Sequence, residues 1–138
     1  MKTIKGPGIF LAQFASDVAP FNTLAGMARW AAELGFVGVQ IPSWDARLFD
    51  LKRAAESQTY CEEVLGIVAE AGLAVTELST HLQGQLVATH PSYDVLFADF
   101  APINLKQDFK GRQAWAVEQL RYAAQASQRM GLAAHATF

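Results

Sequence analysis

One phrase recurs three times along this chain: an amphipathic helical stretch, a glycine, then a short apolar run. It spans residues 27–41 with Gly35, 64–79 with Gly72, and 120–138 with Gly131. In the first copy Leu24, Met27, Ala28, Ala31 and Leu34 recur at offsets of three and four, which paints one apolar stripe along a helix. Tyr60, Val64, Ile67, Val68 and Ala71 repeat that spacing in the second copy, and Ala116, Leu120, Ala123 and Ala124 do so in the third. Thr59 and Glu62 have the spacing of a capping box at the start of the second helix. Each helix is expected to end at its glycine, because a residue without Cβ takes the left-handed turn at low cost.

The apolar runs read as strands at 36–41, 73–79 and 132–138, with a further one near the N-terminus at 8–14. Short apolar strands joined by helical crossovers form a parallel sheet, since a tight turn cannot connect parallel neighbours. The expectation is therefore an α/β fold of parallel βα repeat units filling one domain over residues 1–138. Two insertions, 43–57 and 82–110, interrupt the repeats, and each follows a strand. Loops beyond the carboxyl ends of parallel strands carry the sites of α/β proteins, so a site is expected on that side.

Polar residues placed on the strands narrow the position further. Strict alternation puts Val75, Glu77, Ser79 and His81 on one face, and Ala74, Thr76 and Leu78 on the other. On the second strand Val37, Val39 and Ile41 face the helices, leaving Gln40 opposite, while on the first strand Gln13 shares a side with Ile9 and Leu11. His135 and Thr137 alternate with apolar neighbours on the fourth. Buried amide, carboxylate and imidazole groups must pair with each other or bind a ligand. Two readings follow: a structural network such as Glu77 with His135, or a substrate pocket reached by Gln13, His81 and His135. His81 is the foremost candidate, because it ends its strand and opens the loop HLQGQL at 81–86, which also brings Gln83 and Gln85. Trp44 and Asp45, just after the second strand, have the chemistry to wall and orient a polyol or simply to pack a loop. Trp30, Trp115 and His90 read as structural.

Composition excludes several classes. With 51% apolar and 17% charged residues, the chain is a core-rich globular protein and not a disordered tail. A net charge of -2 without any basic run leaves no footprint for nucleic acid or for an anionic membrane. A lone cysteine, Cys61, precludes an internal disulfide and reads as a buried structural thiol, which suits a reducing cytoplasm. The opening MKTIKGPG lacks the long apolar core of a signal peptide, so no export signal is expected, and no later apolar run approaches about 20 residues. No glycine-rich phosphate loop follows the first strand, and no histidine or cysteine pair has metal-ligand spacing.

Residues 31–42 (AAELGFVGVQIP), 71–73 (AGL) leading into 81–86 (HLQGQL), and 131–138 (GLAAHATF), in that order, resemble the sugar phosphate isomerase/epimerase family with its xylose-isomerase-like TIM barrel. The resemblance implies the N-terminal half of a (β/α)8 barrel, about four βα units long and ending within the fourth strand. It implies metal-assisted proton transfer on a sugar or keto-sugar in a full-length form. The divalent ion there would be manganese, magnesium, cobalt or zinc, with most of its ligands on later strands. Neither metal ligands nor catalytic residues are assigned within this chain. The substrate-binding set implied here is Gln13, Trp44, Asp45, His81, Gln83, Gln85 and His135. The family commonly has glutamate at the end of the second strand, where this chain has Gln40. Related readings are an inosose dehydratase-type lyase, a zinc-dependent abasic-site endonuclease of the same fold, and a non-catalytic module that dimerises or binds a partner. A half-barrel with open sheet edges is expected to form homo-oligomers or to aggregate.

Overall fold

The computed structural model describes residues 4–137. Four strands, β1 (Gly8–Phe10), β2 (Gly38–Pro42), β3 (Ala74–Ser79) and β4 (His135–Ala136), form one sheet in the order β1-β2-β3-β4, with every pair parallel. The helices between them are α1 (Leu24–Glu33), α2 (Leu51–Glu56), α3 (Gln58–Glu70), α4 (His81–Gln85), α5 (Asp94–Phe97) and α6 (Phe109–Arg129). This is the expected α/β fold of a parallel sheet alternating with helices. The two insertions lie where expected, after β2 and after β3, and hold α2 and α4–α5 respectively.

Four helix starts, those of α1, α2, α3 and α6, have a local chemical cause. Thr23, Asp50, Ser57 and Asp108 accept hydrogen bonds from the backbone N–H of Gly26, Arg53, Tyr60 and Gly111, satisfying donors that a first helical turn leaves unpaired. Ser57 rather than Thr59 caps α3, so the expected capping box does not form and Thr59 falls inside the first turn. The three glycines of the repeated phrase do turn left-handed, with φ of 86° at Gly35, 78° at Gly72 and 66° at Gly131.

Helices α1, α3 and α6 pack on one face of the sheet. Met27, Ala28 and Ala31 of α1, Cys61, Val64 and Val68 of α3, and Ala123 and Ala126 of α6 share one core with Val39, Ile41, Val75 and Leu78 of the strands. Ala124, expected on the α6 stripe, is exposed, and the buried positions of that helix are Arg112, Ala116, Ala123, Ala126 and Ser127. Cys61 is buried, donates to the Ala54 carbonyl at 3.2 Å and has its thiol pKa pushed up by burial, as suits a structural thiol. Among the described residues no helix is long and apolar enough to cross a membrane.

The strands are shorter than the sequence pattern suggests, and one is bulged. β1 ends at Phe10, and Leu11–Gln13 coils into a 3-10 turn. β4 covers His135–Ala136 of the expected 132–138, and Phe138 lies outside the described residues. Between β2 and β3, Val39 pairs with Val75 but Gln40 pairs with Glu77, which leaves Thr76 as an extra residue. The bulge resets the alternation. Val75 and Leu78, three positions apart, both enter the core, while Thr76 and Glu77 both line the opposite, open face. The expectation that Val75 shares a face with Glu77 is corrected by this one-residue insertion. Gly38 answers to the same feature: a Cβ there would meet Thr76 Cγ2 at 2.6 Å.

Candidate functional site

The open face of the sheet carries a cavity of about 370 Å³ lined by Gly8, Ile9, Phe10, Gln40, Thr76 and Glu77. Gly8 gives it a floor of bare backbone. Gln40 donates its side-chain amide to Glu77 Oε1, and Thr76 Oγ1 donates to the Val39 carbonyl at 3.1 Å. The hydroxyl is thus spent on the backbone, and the Gln40 amide and Glu77 carboxylate are the polar pair of the cavity.

At the carboxyl ends of the first three strands, three rings meet. Phe10 closes β1, Trp44 follows β2 and His81 opens α4 beyond β3. Their centroids are 6.0 Å apart for Phe10 and Trp44, 5.1 Å for Phe10 and His81, and 5.8 Å for Trp44 and His81. Phe10 belongs both to this cluster and to the cavity wall, so the three rings adjoin the Gln40–Glu77 cavity through Phe10. Burial holds the His81 pKa below its ordinary value, opposed by the charge of Glu77. Burial thus favours the neutral form of the imidazole.

A second cavity, of about 480 Å³, lies in the helical layer between α2, α4 and α6. Trp44, Phe49, Phe100 and Trp115 wall it, and Gln83 and Ser43 add polar groups. Gln83 is 1% exposed, its Nε2 reaches Ser43 Oγ at 3.4 Å, and its Oε1 is buried without a partner. Ser43 Oγ in turn donates to the Ser79 carbonyl at 2.8 Å.

The other residues singled out in the sequence have different placements. Gln13 leaves the sheet with the 3-10 turn and is exposed, because the strand that would have aimed it ends three residues earlier. Phe10, which sequence reasoning passed over, takes the strand-end position; its signal was an aromatic at the last alternating position before the run lost its strand pattern. Asp45 accepts two hydrogen bonds from the Arg47 side chain, at 2.9 and 2.6 Å, and Arg47 also reaches Asp17 at 2.6 Å. The Arg47 guanidinium holds the Asp45 carboxyl below the usual carboxylate range. Gln85 donates to the His81 carbonyl at 2.9 Å within α4.

His135 pairs in register with Leu78 of the core, and its Nε2 meets Thr80 Oγ1 at 2.8 Å. The Glu77–His135 network expected from alternation is replaced by two separate pairs, Gln40 with Glu77 and Thr80 with His135. Burial lowers the His135 pKa, Glu77 opposes that shift, and His81 adds to it. The Nδ1 of His135 is buried without a partner. His90 is exposed and accepts from the Ser92 N–H at 3.2 Å, a local capping role. Trp30 packs against Phe14 and Phe21.

Among the described residues, no three His, Cys, Asp or Glu side chains converge on a point where one metal ion would reach them all. Glu77, His81 and His135 therefore do not make a divalent-metal site by themselves, and no chemical step is derived through one. What the open face offers is an amide–carboxylate pair for hydroxyl or amine groups, beside a ring cluster of Phe10, Trp44 and His81 with apolar surface for C–H groups. No protein-family model matches this chain, and no curated protein matches its sequence.

Proposed function

We propose that this chain forms the first four units of a xylose-isomerase-like (β/α)8 barrel and supplies part of the sugar-binding site of an isomerase or epimerase. One observation carries the reading: rings from the ends of three successive parallel strands meet beside a cavity on the open sheet face whose polar pair is Gln40 and Glu77, with Phe10 common to both. Aromatic faces pack against the C–H faces of a sugar ring, and an amide–carboxylate pair orients its hydroxyls. This combination binds a polyol and gives little to a purely apolar ligand. The sequential strand order with helices on one face, together with the phrases at 31–42, 71–86 and 131–138, supports the barrel reading.

In this reading Trp44 and Phe10 seat the ring, His81 exchanges hydrogen bonds with a hydroxyl or carbonyl oxygen, and Glu77 accepts from a hydroxyl. Isomerisation or epimerisation moves a proton to or from a carbon beside a carbonyl, which takes a properly held acid/base group on the relevant face. Glu77 is the carboxylate within the four strands and is engaged by Gln40, so the share of this chain is binding and orientation. A divalent metal, in the complete enzyme, would polarise the carbonyl.

Saturation-transfer NMR with xylose, fructose and glucose on the 138-residue chain tests the reading. Transfer to sugar C–H protons is expected, with a loss of about tenfold or more in affinity on Trp44→Ala. No transfer from any of the three sugars at millimolar concentration would defeat it.

A further inference from the structure

The charge distribution around the open-face site points to a narrower ligand class. Its lining, Gly8, Ile9, Phe10, Gln40, Thr76 and Glu77, contains one charged side chain, the Glu77 carboxylate. The rings next to Phe10 are those of Trp44 and His81, and this cluster contributes no lysine or arginine. Arg47, three residues after Trp44, is occupied by Asp45 and Asp17, so that this group of three carries a net negative charge. An anionic ligand group placed against Glu77 would meet repulsion with no cation to offset it. A protonated amine would meet the Glu77 carboxylate in a lining that also holds the Phe10 ring, a combination that favours ammonium recognition.

The β3 bulge is what builds this preference. By adding Thr76 to the strand it turns Glu77 toward the open face, and Gln40 holds the carboxylate there through a single donor. Gln40 is an amide, so it steadies the carboxylate without neutralising it.

Resting on the sugar-binding reading above, we propose that this site selects an amino sugar, with its ammonium group on Glu77, over neutral sugars and over sugar phosphates or sugar acids. Isothermal titration of the 138-residue chain with glucosamine, glucose and glucose 6-phosphate tests this. Glucosamine is expected to bind about tenfold or more tightly than glucose, and glucose 6-phosphate more weakly than either. Glu77→Gln, which keeps the shape of the side chain, is expected to remove the preference for the amine, so that glucosamine and glucose then bind within about threefold of each other. Glu77→Asp, which keeps the charge, is expected to retain part of the preference, and thermal melts of both variants confirm that they fold. Equal binding of glucose and glucosamine, tightest binding of the phosphate, or an amine preference that survives Glu77→Gln would each overturn the proposal while the sugar-binding reading stands. Absence of binding by all three ligands would overturn both.

Discussion

The sheet with α1, α3 and α6, and the excursion between β3 and α6, are held together by different physics. The first region is periodic: every helix presents a stripe, every stripe meets Val39, Ile41, Val75 or Leu78, and one continuous core results. The second is a succession of short turns, with α5 and three 3-10 turns between α4 and α6, around a small cluster of Leu86, Ala101 and Ala116. Its organising group is a cation. The Arg112 side chain, 3% exposed, pairs with Asp94 and donates to the carbonyls of Leu105 and Lys106. Apolar periodicity builds an element that stands up to local change, whereas a hub of charge-assisted bonds makes a segment that depends on one residue. Both regions meet at the larger cavity, where Phe100, Ala101 and Pro102 of the excursion face Phe49 and Leu51 of the layer before it.

Mutations on the two sides should separate these two kinds of order. Leu78→Ala removes a side chain with 0% exposure from the middle of the core and is expected to lower global stability by about 3 kcal/mol. In urea unfolding, a loss below about 1 kcal/mol would mean that the core is not one packed unit. Arg112→Met keeps the aliphatic bulk but ends the bonds to Asp94 and the two carbonyls. Asp94 has a side chain 28% exposed and regains water, so the expected loss is smaller, about 2 kcal/mol, and confined to the excursion. Limited proteolysis should then cut between residues 86 and 106 while the hydrogen-exchange protection of β2 and β3 persists. Uniform loss of protection in both regions would erase the distinction.

A smaller effect concerns the two histidines near Glu77. Each has its pKa lowered, first by burial, from an ordinary value of 6.5. The fold therefore favours the neutral imidazole, and the unfolded chain binds the proton first as the pH falls. The corresponding stability is fully present above pH 6.5 and is lost as pH falls from there through the lowered folded values. The melting temperature is expected to drop between about pH 7 and about pH 5.5, and less so in His81→Gln with His135→Gln. Equal slopes in the parent and the double variant would remove the histidines from this account.

The legible part of the fold was its repeat. Helical stripes and terminal glycines obey local rules, and Gly35, Gly72 and Gly131 all turn as their positions in the phrase imply. Four parallel strands followed from the same pattern. Illegible was anything decided by a single inserted or recruited residue. The Thr76 bulge leaves no mark in an alternating string, because Val-Thr-Glu-Leu reads equally well with or without an extra residue, and it is the cross-strand partner Gln40 that sets the register. Arg112 was passed over because charge signals exposure, although it stands four residues before Ala116 on the buried stripe of α6. His81 and Trp44 were found through their place just past strand ends, which chain order alone reveals. Asp45 and Gln13 shared that cue, but an ion pair with Arg47 claimed one and a 3-10 turn carried the other out to solvent.

The central claim is that a sugar-like ligand binds on the open sheet face, in the cavity that Phe10 shares with Gln40 and Glu77. Chemical-shift mapping of the isotopically labelled chain during a glucosamine titration tests it most directly, since each cavity has residues of its own. The account predicts shifts at Phe10, Gln40, Thr76, Glu77 and His81, with Trp115 and Gln119 of the larger cavity unmoved. Shifts centred on Trp115 and Gln119, or none at Gln40 and Glu77 at saturating ligand, would contradict it.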